Sequence, residues 1–431
     1  MKFKYAPVLL AVLSLLAWTE NSTGSELPSP SADVLQYRCK VLTAPELAGR
    51  GSGAPEADAA AETLAIWMAE LDLEPAFDGS WFQEFPLSGE GWTGDDLSGK
   101  SGRNVAGILP GTGRLAHRFV VVGAHYDHLG RVTPAEGSAP PPAPGEYYPG
   151  ANDNASGVSV VFELIRLASV PDADAGDRRS VIFTNFSGEE VGLQGSGFMV
   201  SHLPVDPDSV DAMINLDTVG QLNADRLYVS GVGTTPSFTD LVNAANTGDL
   251  ELSLAPGGWS GSDHMSFNTR EVPVLFVFGG AYPEYNRPSD DWPTLDYPAM
   301  VKVTAYTDRL LDSIRRDPED LPWIMIAEKN LRGEGDEGQN RDTWFGSLPD
   351  FTTEIKGYKL AGVFDGSPAA LAGLQKGDVL VKLGGAEVED LASFTRALRS
   401  HEPGDLVEIR VDREGRFMNF TVVLGNRTDR K

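Results

Sequence analysis

Hydrophobic and polar positions alternate between two rhythms from residue 34 to residue 315. In residues 54–73, Leu64, Trp67, Met68 and Leu71 recur at i, i+3, i+4 and i+7, the stripe of a helix with one buried face. Residues 156–170 carry a similar stripe in Val160, Val161, Leu164, Ile165 and Ala168. Helices are expected also over residues 34–42, 236–245 and 297–315, with another opening at Ser262. Between them lie apolar runs of strand length: residues 82–87, 104–109, 118–124, 180–186, 211–216, 226–230 and 272–278. Strand and helix alternate, which predicts an α/β fold with a mostly parallel mixed sheet flanked by helices.

Two stretches outside that region change the picture. Lys2 and Lys4 precede an apolar run from Ala6 to Trp18, and polar residues follow from Glu20. This is the layout of a cleaved export signal, assigned to residues 1–22. The run is too short to span a bilayer comfortably, so no stable membrane anchor is expected and the location is secreted or periplasmic. Past residue 327 the chain turns charged and glycine-rich (Arg332-Gly333-Glu334-Gly335-Asp336-Glu337-Gly338), a linker over residues 327–344. At 431 residues the chain is long enough for two domains, and the linker places them at 33–326 and 345–427. The formal net charge of −27 offers no basic stripe for phosphates, which excludes nucleic acid as a partner. Cys39 is the only cysteine, which excludes an intramolecular disulfide and a multi-thiolate zinc site.

The candidate chemistry sits where apolar runs stop. Val120-Val121-Val122 lead into His125-Tyr126-Asp127-His128, Val181-Ile182-Phe183 into Glu189-Glu190, and Met213-Ile214 into Asp217. A fourth piece, Asn152-Asp153-Asn154, precedes the helix of residues 156–170. Ligands in open α/β sheets gather at the carboxyl ends of strands. Imidazole nitrogens and carboxylate oxygens there form a ligand set for hard or borderline divalent cations. Between Gly130 and Gly150 a proline- and glycine-rich loop is placed to form a rim over such a site.

In their order and type these four pieces resemble the co-catalytic zinc aminopeptidases, the family 28 metallopeptidases, across most of residues 40–315. The resemblance implies two zinc ions. Asp153 would bridge them, His125 and Asp217 would complete one position, and Glu190 would belong to the other. It makes Glu189 the general base, and it makes Asp127 the carboxylate that orients a ligand histidine. The family's last ligand is a histidine in a Tyr-His-x-Pro-x-Asp segment, which here reads Tyr285-Asn286-Arg287-Pro288-Ser289-Asp290. Asn286 therefore stands at a ligand position with a weaker neutral donor, and the second ion is expected to be held less tightly. Of the histidines at 117, 125, 128, 202, 264 and 401, His264 is the expected substitute.

The C-terminal stretch resembles a PDZ domain. Gly366-Ser367-Pro368-Ala369-Ala370-Leu371-Ala372-Gly373-Leu374, followed by Lys376-Gly377-Asp378-Val379-Leu380, carries the likeness. Leu348, Pro349, Asp350 and Phe351 fall where PDZ domains keep their carboxylate-binding loop, and residues 391–399 where they keep the groove helix. Together the two resemblances imply an exported aminopeptidase acting on peptide substrates, with a PDZ domain for a peptide or protein carboxyl terminus. The alternative is a catalytically weakened relative acting mainly through its PDZ domain.

Overall fold

The computed structural model describes residues 29–88, 96–131, 146–170, 176–257, 261–280, 282–324, 343–349, 356–363, 366–388, 391–413 and 415–426. The first unit contains α1 (Ala32–Leu42), α2 (Pro55–Glu70), β1 (Glu74–Pro75), β2 (Phe82–Pro86), β3 (Ser101–Leu109) and β4 (Phe119–His125). It continues through α3 (Gly157–Ala168), β5 (Ser180–Phe186), α4 (Gln194–Ser201), β6 (Val210–Asp217), β7 (Arg226–Ser230) and α5 (Phe238–Ala245). The unit closes with β8 (Glu251–Ala255), α6 (His264–Thr269), β9 (Val274–Phe278) and α7 (Tyr297–Arg316).

These strands form one nine-stranded sheet in the order β1-β3-β5-β4-β6-β9-β7-β8, with β2 also on β3. Its centre, β5-β4-β6-β9, is parallel. The flanks turn antiparallel where β3 meets β5 and β7 meets β9. Alternation along the central strands sorts the core into two layers. Val120, Val122, Ala212 and Ile214 pack beneath α1, α2, α3, α5 and α7. Val121, Met213 and Ile182 face Met199 of α4 and Phe267 of α6 on the opposite side. The parallel centre, helix-covered on both faces, is why these runs are apolar at consecutive positions. The carboxyl ends of β4, β5 and β6 therefore open at one edge of the sheet, beside one another.

The pattern of apolar runs missed β1 and β8. β8 is half-exposed along its length, and its apolar face is only Leu252 and Leu254, too short a run to stand out beside the central strands. Its parallel pairing to β7 decides its conformation. The other elements lie within a few residues of expectation, and strand 180–186 coincides with it.

The second unit is all-antiparallel apart from two helices. Its strands are β10 (Thr343–Trp344), β11 (Ser347–Pro349), β12 (Tyr358–Val363), β13 (Val379–Leu383), β14 (Ala386–Glu387), β15 (Leu406–Arg413), β16 (Arg416–Val423) and β17 (Gly425–Asn426). The helices are α8 (Pro368–Leu371) and α9 (Leu391–Arg399). Leu360, Leu380, Ile409, Val411 and Phe394 form a core of their own, sharing no residue with the core of the first unit. β10 pairs with β17, so Thr343 and Trp344, placed in the linker on sequence grounds, belong to this unit. Of the expected carboxylate loop, Leu348 and Pro349 end β11, whereas Asp350 and Phe351 lie outside the described residues. Residues 1–22, most of the linker and most of the rim loop also fall outside them. No helix among the described residues is long and apolar enough to cross a membrane.

Candidate metal centre

His125 is the last residue of β4 and is buried. Its Nε2 lies 3.3 Å from Asp153 Oδ1 and 3.5 Å from Asp217 Oδ2, the latter at the end of β6. Its Nδ1 is held by the backbone carbonyl of Asp127 at 3.1 Å, while the Asp127 carboxylate stands 4.0 Å away. The orienting contact on His125 thus comes from the Asp127 main chain, because the short turn after β4 brings the carbonyl back under the ring. The Asp127 carboxylate works on other groups: Oδ2 accepts the Ser52 hydroxyl, and Oδ1 accepts the Glu189 N–H at 3.3 Å. It thereby ties the loop carrying Glu189 and Glu190 to the end of β4.

The Asn-Asp-Asn sequence has a geometric reason. Asn154 donates to Leu216 O at 2.9 Å and accepts from Thr218 N at 3.2 Å, bracketing Asp217. Asn152 Oδ1 accepts from Gly220 N at 2.7 Å. Both amides stitch the turn to the end of β6, and Asp153 is the residue left facing the neighbouring loops. Asp290 supports the same turn from below, its two oxygens accepting the N–H groups of Asn152 and Asp153 at 2.8 and 3.2 Å. Arg50, wholly buried, donates to the carbonyls of Leu42, Tyr126, Pro149 and Gly150, clamping the start of this turn against the strand that carries His125. Ser262 donates to Asp217 Oδ2 at 2.8 Å and accepts from Asn215 at 2.9 Å.

Sequence reasoning passed over His128, and the structure brings it in. Its side chain is fully buried, with Nδ1 2.6 Å from Glu190 Oε1 and 3.9 Å from Asp153 Oδ2. Gly150 makes room for it: a Cβ there would stand 2.5 Å from the imidazole ring. His264, the expected substitute ligand, is stacked on Phe276 at 4.3 Å between ring centroids and belongs to neither cluster of donors around His125. Asn286 has a left-handed backbone (φ 53) and a buried Oδ1 without a hydrogen-bond partner. The signals available for the missed residues were the second histidine of His125-Tyr126-Asp127-His128 and the aspartate of Tyr285–Asp290.

Burial raises the Glu189 carboxyl well above its ordinary value, and Glu190, Asp263 and Asp217 add to it. Glu190 is raised by burial and by Asp153. Burial pushes Asp263 up to about 7. Burial alone would depress His125, but Glu189, Asp217 and Asp153 outweigh it and hold the imidazole well above its usual range. So many carboxylates in one place are mutually repulsive without a cation. Asp217 Oδ1 and His128 Nε2 are buried with no hydrogen-bond partner. Two sets, His125 with Glu189 and Asp217, and His125 with Asp153 and Glu190, each keep their donor atoms within 4.8 Å of one another. This oxygen-and-imidazole chemistry fits a divalent metal.

The cluster opens into a cavity of roughly 360 Å³. Its far wall is apolar and aromatic: Tyr228, Val229, Phe276, Phe278, Ala255 and Tyr285. None of the described side chains lining it is Lys or Arg.

Residues 104–310 match peptidase family M28, and residues 347–424 match the PDZ domain. Among curated proteins, a probable leucine aminopeptidase of Trichophyton verrucosum (strain HKI 0517) is 29% identical over 210 residues, 46% of this chain and 52% of that protein. Aminopeptidase YwaD of Bacillus subtilis (strain 168) is 31% identical over 207 residues, 45% of this chain and 40% of that protein. The chain spans about half the length of the curated relatives it matches, or less. Among solved structures, a zinc aminopeptidase from Bacillus subtilis aligns with TM-score 0.54 at 18% identity, over 69% of this chain and 98% of that one. The LapA aminopeptidase of Legionella pneumophila aligns with TM-score 0.51 at 18% identity, over 74% and 76%. At that identity the structural likeness speaks for the fold.

Proposed function

From a chain that carries a family M28 peptidase domain followed by a PDZ domain, we infer an exported metalloaminopeptidase that removes apolar residues from the N-termini of peptides. The observation that carries the reading is the joining of two features in one cavity. Imidazole and carboxylate donors converge at its head, and an apolar wall without a cationic group forms the rest. With no Lys or Arg among its described lining residues, the cavity offers a substrate carboxylate no cation there, while its acids suit a free α-amino group. Export rests on Lys2, Lys4 and the apolar run that follows, and carboxyl-terminal peptide binding rests on the PDZ match.

His125, Asp153, Asp217 and Glu190 are the residues that would hold zinc. Metal bound there would supply Lewis acidity, which polarises a carbonyl and lowers the pKa of water toward neutrality. Glu189, fixed through its own N–H to Asp127, accepts the proton of the attacking water on its carboxylate. It then delivers that proton to the peptide nitrogen as the C–N bond breaks, and the water oxygen stays on the new carboxyl group. The departing residue's side chain lies against Tyr228, Phe276 and Phe278. Burying a Leu or Phe side chain there contributes about 1.5–3 kcal/mol relative to leaving it in water, about ten- to 150-fold in kcat/KM.

The test is a panel of Leu, Phe, Ala, Glu and Lys amides with the N-acetylated Leu amide as control. Leu and Phe should turn over fastest, the acetylated amide should be inert, and a zinc chelator should abolish the activity. Cleavage of the acetylated substrate at the same rate would rule out an aminopeptidase. The second reading, a weakened peptidase whose PDZ domain carries the function, draws on Asn286 and would be favoured by no turnover of any amide.

A further inference from the structure

Asp153 offers its two oxygens to two different imidazoles. Oδ1 is 3.3 Å from His125 Nε2, and Oδ2 is 3.9 Å from His128 Nδ1. Donor atoms bound tetrahedrally at ~2.0–2.1 Å from a zinc ion stand roughly 3.3 Å from one another. His125 Nε2 meets that spacing, lying 3.3 and 3.5 Å from the carboxylate oxygens of Asp153 and Asp217. His128 Nδ1 brackets it, 2.6 Å from Glu190 Oε1 and 3.9 Å from Asp153 Oδ2.

We propose that His128 is a metal ligand, holding a second cation through Nδ1 together with Glu190 and the second oxygen of Asp153. The inference rests on the metallopeptidase reading and deepens it by naming the imidazole of the second position. A hydrogen bond to Glu190 alone is a weaker account of this residue. It leaves unexplained why the same Nδ1 of a fully enclosed ring also faces the second oxygen of Asp153, which already serves His125 with its first. Neither other candidate is as well placed: His264 is stacked on Phe276, and Asn286 offers only an amide oxygen. The pocket for the ring is built in advance by Gly150, whose place no side chain could take without meeting it.

Two measurements on the full chain test the assignment. Chelator-stripped wild type is titrated calorimetrically with zinc chloride beside His128→Gln and Asn286→Ala. Wild type should bind two ions, His128→Gln should lose at least about tenfold in affinity for one of them and keep the other, and Asn286→Ala should lose less. Zinc-edge X-ray absorption of the wild type, which needs no variant to fold, should then count one imidazole per zinc. Half an imidazole per zinc, an unchanged titration for His128→Gln, or a loss of the second ion in Asn286→Ala alone would each overturn the proposal while leaving the peptidase reading intact. A wild type that binds no zinc would overturn both.

Discussion

Glu189 and Glu190 are adjacent in sequence, yet their surroundings separate their work. Glu190 Oε1 is engaged by His128 at 2.6 Å, whereas Glu189 is positioned through its backbone N–H and its carboxylate faces the cavity beside His125 and Asp217. Glu189→Gln should therefore lower kcat by about 10²–10⁴-fold with the zinc content of the purified protein unchanged. Loss of zinc with activity restored by added metal would instead make Glu189 a ligand. The residue types were legible beforehand because the chemistry of metal binding restricts them to imidazole and carboxylate. Which side chain meets which was not. His128 turns toward Glu190 where Gly150 vacates space for its ring and the Arg50 carbonyl accepts its backbone N–H at 3.3 Å, contacts made across large sequence separations.

Among elements, the central strands announced themselves since both their faces are buried, while β8 did not since its pairing, not its composition, makes it a strand. Helix α7 was equally plain, an apolar stripe capped by Asp296, whose side chain accepts the Ala299 N–H. One residue on it opposes the fold. Burial pushes the Asp308 carboxyl from 3.8 up to about 6, and Asp312 one turn on adds to the shift. An acid whose folded pKa lies above its unfolded value favours the native state only while protonated. Its contribution is complete below about 3.8, is lost as pH rises through about 6, and stays lost above. Asp308→Asn should accordingly be more stable than wild type at pH 7.5 by about 1–2 kcal/mol, allowing for partial solvent screening, with the gap closing toward pH 4. Urea unfolding at the two pH values measures it, and a gap independent of pH would refute the assignment.

Across the whole molecule, the two cores share no residue, and every donor of the metal centre comes from the first. A chain truncated after residue 327 should then unfold cooperatively and hydrolyse Leu amide with the kcat/KM of the full chain within about twofold, since no side chain of the cavity is removed. Insoluble or inactive truncated protein beside active full-length protein would make the PDZ unit part of the catalytic fold. The linker was readable from its charge and glycine content; its far boundary was not, because the β10–β17 pairing joins residues more than eighty positions apart.

The change of strand direction between β9 and β7 has a consequence for how such a protein can diversify. Donors for the metal come from the ends of β4 and β6, the loop after β5 and the turn before α3, all at or beside the parallel centre. Much of the cavity wall comes from β7, β8 and β9, on and beyond the antiparallel join. Reaction and choice of substrate are therefore inherited as two nearly separate instructions. Ser253 and Ala255, small residues on a half-exposed outer strand, can be exchanged for larger ones without disturbing any donor. A lineage could retune what it digests by rewriting that outer strand and leave the cutting machinery as it was.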